Sequence, residues 1–159
     1  MNKRALLKKI IAQLNDELAV YVRASLASRT EATHESSKAE SKYDTRGLEA
    51  SYLAHGQSKQ AAELEEAIVE FGKLAPHKFA HGEAIGIGAL VEVEVGGEKS
   101  FYFLGPRAGG TEVVQDKTEI LVITPQSPLG AQLINRKAGE SLPLTLGSSK
   151  QTAKILKVE

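Results

Sequence analysis

All five prolines of this chain follow Ala75, and so do eleven of its fourteen glycines. Proline removes a backbone donor and breaks a helix interior, and glycine costs a helix about 1 kcal/mol relative to alanine. Residues 1–75 contain only Gly47, Gly56 and Gly72 as breakers and are free to form long helices. Beyond Ala75 the chain turns into short β-branched runs punctuated by Gly and Pro. This one asymmetry predicts an α+β protein with an antiparallel helical hairpin over 1–75. A separate small α+β domain is expected over 76–159.

Composition narrows the function classes. The 159 residues are 42% hydrophobic and 25% charged, in the range of soluble globular chains. With no cysteine, disulfides, thiolate metal sites and cysteine nucleophiles are excluded. No run reaches the roughly 18 apolar residues of a membrane span. The opening Met1-Asn2-Lys3-Arg4-Ala5-Leu6-Leu7 starts like a signal peptide, but Lys8 and Lys9 interrupt its apolar stretch, so a cytoplasmic location is expected. Twenty basic residues balance twenty acidic ones, with eleven of each sign in 1–75 and nine of each in 76–159. Affinity for nucleic acid rests on basic patches that release counterions. No independent, specific DNA binding is therefore expected.

In the first half, Leu6, Leu7, Ile10, Ile11, Leu14 and Leu18 recur at three- and four-residue spacing and define an apolar stripe. A second series runs through Leu48, Tyr52, Leu53, Ala61, Leu64, Ile68 and Phe71. Ser37 followed by Glu40 reads as a capping box, so a turn is expected near 33–37 with a helix starting behind it. Reversal there brings Lys3, Arg4, Lys8 and Lys9 alongside Glu63, Glu65, Glu66 and Glu70. Opposite charges would then meet as they do at the flanks of a coiled coil.

In the second half, Val91-Glu92-Val93-Glu94-Val95 alternates as a half-buried strand does. Gly96-Gly97 supplies a tight hairpin, and Phe101-Tyr102-Phe103-Leu104 returns. A loop is expected over 105–110, a strand over 119–123, and further strands over 141–146 and 152–158. Ser127 as N-cap with Pro128 at the first helical position marks a short helix. The expected architecture is four or five antiparallel strands wrapped on that helix.

The stretch Ile123-Thr124-Pro125-Gln126-Ser127-Pro128-Leu129-Gly130-Ala131-Gln132-Leu133-Ile134 resembles a motif of the Gre-type (GreA/GreB) bacterial transcription elongation factors. That motif reads Ile-Ser-x-x-Ser-Pro-hydrophobic-Gly/Ala-x-x-Leu-hydrophobic. Ile87-Gly88-Ala89-Leu90-Val91, Tyr102-Phe103-Leu104-Gly105 and Gly139-Glu140 are similar to other parts of the same domain. Tyr43 and Glu63-Leu64-Glu65 are similar to the family's second coiled-coil helix. The resemblance implies a coiled coil joined to an FKBP-like domain. It also implies bacterial RNA polymerase as partner, docked through Ile123, Thr124, Gln126, Ser127, Pro128 and Leu129. The coiled coil would enter the polymerase's secondary channel. Such a protein is an accessory factor, not an enzyme, and has no cofactor of its own.

The resemblance breaks at the tip. The family pattern Gly-Asp-Leu-x-Glu-Asn-Ala-Glu-Tyr, anchored on Tyr43, places its two metal-holding carboxylates on Ser36 and Ala39. Mg²⁺ takes oxygen ligands in near-octahedral geometry, usually with one or two carboxylates among them. A hydroxyl and a methyl do not replace these, so little stimulation of transcript cleavage is expected. Glu35, Glu40 and Asp44 are the remaining tip candidates, and they define the alternative of a rearranged acidic tip. A coiled-coil adaptor with no polymerase contact is the other alternative.

Other motifs carry less. His77 and His81 sit four apart, but no third ligand lies at zinc spacing, so they read as loop histidines and no metal site is expected. Gly86 and Gly88 lack the third glycine and the helix of a dinucleotide loop. Ser36 and Ser127 have cap or turn explanations and no readable His–Asp partners.

Overall fold

The computed structural model describes residues 1–34, 45–146 and 149–159, and side chains outside 144–150. The described residues form two long helices, α1 (Lys3–Thr33) and α2 (Arg46–Lys73), followed by six strands and one short helix. It divides into two compact units, Met1–Gln13 with Val69–Glu159, and Leu14–Ile68. Secondary structure changes type near 75, where the prolines begin. The compact units divide within the helices instead, because the first turns of α1 and the last turn of α2 lie with the sheet.

Asn2 caps α1, its Oδ1 accepting from the Ala5 amide at 3.2 Å. The described part of α2 follows Thr45, whose hydroxyl donates to Glu49 Oε1 at 2.8 Å and whose carbonyl takes the Glu49 amide. The expected turn and the Ser37–Glu40 capping box fall on 35–44, outside the described residues.

The helix pair of the 14–68 unit is antiparallel, as its cross-links require. Ser25 meets Ala54 and Ser58, Ser28 meets Gln57, and Glu31 meets Arg46. Beyond the fully buried Leu14, the buried seam is made of small residues: Ser25 and Ser28 on α1, Ala50, Ala54 and Ala61 on α2. This corrects the first half of the expected α2 stripe, while the second half holds, with Leu64 and Ile68 half-buried and Phe71 buried. Leu48, Tyr52 and Leu53 are 56%, 70% and 56% exposed, whereas Ala61 belongs to the seam. Two helices bury only one narrow stripe between them. Alanine and serine let the backbones approach, and the seam serines are satisfied by hydrogen bonds at 2.7 Å (Ser25–Ser58) and 3.1 Å (Ser28–Gln57). Outward leucines cost little, since much of any protein surface is apolar.

In the other unit the strands are β1 (Leu90–Val95), β2 (Glu98–Leu104), β3 (Glu112–Gln115), β4 (Thr118–Ile123), β5 (Ser141–Leu146) and β6 (Ser149–Val158). They form one mixed sheet in the order β3-β4-β2-β1-β6-β5. The sheet has six strands rather than four or five, and it is not wholly antiparallel. β2 runs parallel to β4, pairing Phe101 with Ile120 through to Leu104 with Ile123. The loop and β3 carry the chain back to the same end, so β4 starts in the direction of β2. Gly96 and Gly97 make the β1–β2 hairpin at φ 60° and 87°. The β3–β4 hairpin uses the same left-handed geometry without glycine, at Asp116 (φ 51°) and Lys117 (φ 65°).

The core under the third helix, α3 (Pro128–Leu133), gathers Ile85, Val91, Val93, Leu104, Ile123, Leu133, Leu142 and Ile155. Within β1 the alternation holds, with Val91 and Val93 fully buried. Phe103 is also buried and meets Phe71 of α2, ring centroids 6.2 Å apart. A Cβ on Gly105 would lie 2.7 Å from the Phe71 ring, so this glycine makes room for that contact.

The expected ion pairs between the helix ends are not where Lys3, Lys9 and Glu70 go. Lys3 donates to the carbonyls of His77 (2.6 Å) and Gly88 (2.8 Å), and Lys9 to the carbonyl of Val114 (2.7 Å). Glu70 pairs with Arg107 at 2.6 Å.

Candidate functional site

Strand β4 ends at Ile123, and the chain must turn sharply to start α3 at Pro128. Ser127 makes that turn. Its backbone is extended (φ −70°, ψ 150°), its Oγ accepts the Gly130 amide at 3.1 Å, and the same hydroxyl donates to the Thr124 carbonyl at 2.8 Å. The Ser127 amide also donates to the Thr124 carbonyl, at 2.9 Å. Pro128 fixes φ at the first helical position, where its missing N–H costs nothing. Gly130 completes the lock, because a Cβ there would stand 1.9 Å from the Thr124 carbonyl oxygen. The helix closes with Ile134, whose amide bonds to the Gly130 carbonyl, and then Asn135 turns left-handed at φ 65°.

Beside this turn lies an open cleft of about 780 Å³. Ile123, Thr124, Ser127, Pro128 and Leu129 line it, whereas Gln126 is exposed and not among the lining residues. Val95, Ser100, Tyr102, Leu121, Gln132 and Gln151 complete the wall from β1, β2, β4, α3 and β6. Sequence reasoning did not assemble these, since they come from elements far apart in the chain, Val95 on β1 and Gln151 on β6 at the extremes, and meet only through sheet order. Strand alternation, which puts Tyr102 on the face opposite Phe101 and Phe103, is the one signal the sequence offers. The cleft is apolar at Val95, Tyr102, Leu121, Ile123 and Leu129, and its lining holds Glu98 as the charged residue. Such a surface suits a protein segment that buries apolar side chains and bonds to rim hydroxyls and amides. It lacks the convergent titratable groups that chemistry needs.

The remaining candidates resolve into structural roles or lie elsewhere. His77 Nε2 meets Glu83 Oε1 at 2.6 Å, and the Ala80 amide donates to Glu83 Oε2 at 2.7 Å. The Ala80 amide, then the His77 contact, hold the Glu83 carboxyl below its ordinary value. His77 thus ties a turn, edge-on to Phe79 at 4.6 Å. His81 is exposed, and no cluster of three metal-ligating side chains exists among the described residues. Gly88 serves a turn at φ 89°. Glu35, Glu40 and Asp44, with Ser36 and Ala39, lie outside the described residues. No described helix is long and apolar enough to cross a membrane.

No family model matches the sequence, and no curated protein matches it. Solved structures do. The crystal structure of Thermus aquaticus Gfh1 is 22% identical over 95% of this chain and 92% of that one, with a TM-score of 0.42. The GreA factor homolog 1 (Gfh1) of Thermus thermophilus is 21% identical, covering 94% of each chain at a TM-score of 0.40. A prokaryotic transcription elongation factor GreA/GreB from Nitrosomonas europaea is 18% identical over 74% of this chain and 94% of that one, at 0.38. The chain is therefore similar, over most of its length, to solved structures of Gfh1 and GreA/GreB.

Proposed function

We propose that this chain is an RNA polymerase-binding regulator of transcription elongation. It docks through the β4–α3 turn and its cleft and places the helical hairpin in the polymerase's secondary channel. The observation that carries the docking half is the Ser127 turn. The residues that resemble the Gre-type motif are those that build a rigid, apolar-flanked turn, with Ser127 and Gly130 both bonded or pressed against Thr124. A surface already fixed in its bound shape loses little entropy on association.

The hairpin then acts by occupancy, not by chemistry. Ser36 and Ala39 stand where the resembling motif carries carboxylates, so the tip recruits no catalytic Mg²⁺. The protein competes with other channel binders, works in the cytoplasm, and needs no cofactor of its own.

Two assays test this reading. Size-exclusion chromatography with core polymerase reads docking, and failure to co-elute at micromolar concentration would favour a coiled-coil adaptor. Cleavage of a backtracked elongation complex reads the tip. Wild type is expected to be inert, and Ser36→Asp/Ala39→Glu to gain activity. Robust wild-type cleavage, lost in Glu40→Ala, would instead establish the rearranged acidic tip.

A further inference from the structure

A sheet edge is a row of free backbone donors and acceptors, and it invites pairing with another chain. Here the two edges are β3 and β5. β5 carries Pro143, a residue with no N–H to offer an added strand. β3 has no proline. It reads Glu-Val-Val-Gln, and its Val114 side chain is 55% exposed.

The hydrogen bonds show which way β3 presents its backbone. Val122 of β4 exchanges bonds with Gly110 and Thr111 on the β3 side, while the Ile123 carbonyl takes the Gly105 amide on the β2 side. Alternation along β4 therefore turns Ile120 and Thr118 toward β3. Their partners Val113 and Gln115 face inward, and the backbone groups of Glu112 and Val114 face out. The outward Val114 carbonyl is the one that Lys9 of α1 reaches, at 2.7 Å. The next residue, Gln115, is 3% exposed and donates its side-chain amide to the Asn2 carbonyl at 3.2 Å. Asn2 and Lys9 flank the first two turns of α1, and both belong to the same compact unit as β3.

We propose that the first turns of α1 are a guard on the β3 edge, with the Lys9 ammonium closing the Val114 carbonyl against strand addition by a second copy of this chain. An incoming strand must displace that ammonium and bring an amide to the same oxygen. Lysine is an effective guard because its charge strongly prefers water to a strand–strand interface. The contact is thus autoinhibitory toward self-association. It is independent of the polymerase reading, and it holds or fails without it.

The test uses the full chain and analytical ultracentrifugation over a range of concentrations. Lys9→Met keeps the aliphatic stem and removes the donor, and Lys9→Glu replaces donor with acceptor. Both are surface changes. Each is expected to self-associate at concentrations at least tenfold lower than wild type does, with protection of the Glu112 and Val114 amides from hydrogen exchange. Adding Val114→Lys to Lys9→Met should return self-association to the wild-type concentration range, and Lys9→Arg, which retains a donor, should behave as wild type. A folded Lys9→Met or Lys9→Glu protein that sediments as wild type at every concentration overturns the proposal. So does association of the Arg variant, or association that Val114→Lys does not reverse.

Discussion

Gly130→Ala adds one methyl group at the hinge of the proposed docking surface, and its cost follows from the distance. The new Cβ would lie 1.9 Å from the Thr124 carbonyl oxygen, 2.7 Å from the Thr124 carbonyl carbon and 2.9 Å from Ser127 Oγ. Two of these are backbone atoms, so no rotamer change relieves the clash. Either α3 moves away from the end of β4 or the Ser127 cap opens. Overpacking of this kind costs about 1–3 kcal/mol and occasionally more. Loss of the cap would add about 1 kcal/mol. The intrinsic helix preference for alanine returns about 1 kcal/mol, which leaves a net loss of about 1–3 kcal/mol. For a unit of this size that corresponds to a fall in Tm of roughly 5–20 °C. Gly56→Ala provides the internal contrast. Gly56 lies inside α2 with nothing within 4 Å of its would-be Cβ, so the same change should stabilise its helix by about 0.5–1 kcal/mol. Thermal and urea denaturation, followed by circular dichroism, measures both. A Gly130→Ala protein melting within a degree or two of wild type would refute the steric argument, as would equal shifts for the two variants.

Ser127→Ala removes a hydroxyl that accepts from Gly130 and donates to Thr124, and should cost about 1 kcal/mol by denaturant titration while weakening co-elution with polymerase. Glu83 should titrate below an ordinary glutamate in a carboxyl-detected NMR experiment. Its folded form favours the carboxylate, so its stabilisation is present above the ordinary glutamate range and disappears as pH falls through the depressed folded value. In His77→Ala that depression should shrink but persist, because the Ala80 amide is its largest cause; complete loss of the shift would contradict this ordering.

Local rules made much of this fold legible, and the reasons are local. Long helices before residue 75 follow from an absence of breakers. The β1–β2 hairpin follows from Gly96-Gly97, and α3 from Ser127-Pro128, since caps and left-handed turns depend on residues a few positions apart. The misses share a different cause. β3 escaped notice because its hairpin turns on Asp116 and Lys117, which adopt left-handed conformations without the glycine that usually announces them. The parallel β2–β4 pair was not readable, since strand direction depends on the path of the intervening loop.

Residue order alone dictates where helix gives way to sheet, where the short helix starts, and which residues build the turn ahead of it. Packing, by contrast, selected which part of the α2 series is buried, since Ala61 and Phe71 go in while Leu48, Tyr52 and Leu53 stay out. Leu48 and Tyr52 offer more apolar surface, yet Ala50, Ala54 and Ala61 occupy the seam opposite Ser25 and Ser28. Tertiary structure also decided where the basic residues of α1 go. Lys3 and Lys9 are bonded to backbone carbonyls of the sheet unit, which no charge pattern can announce. Periodicity reports which residues share a face. What lies opposite that face depends on partners distant in the chain, and so on packing and hydrogen bonds that exist only once the chain has folded.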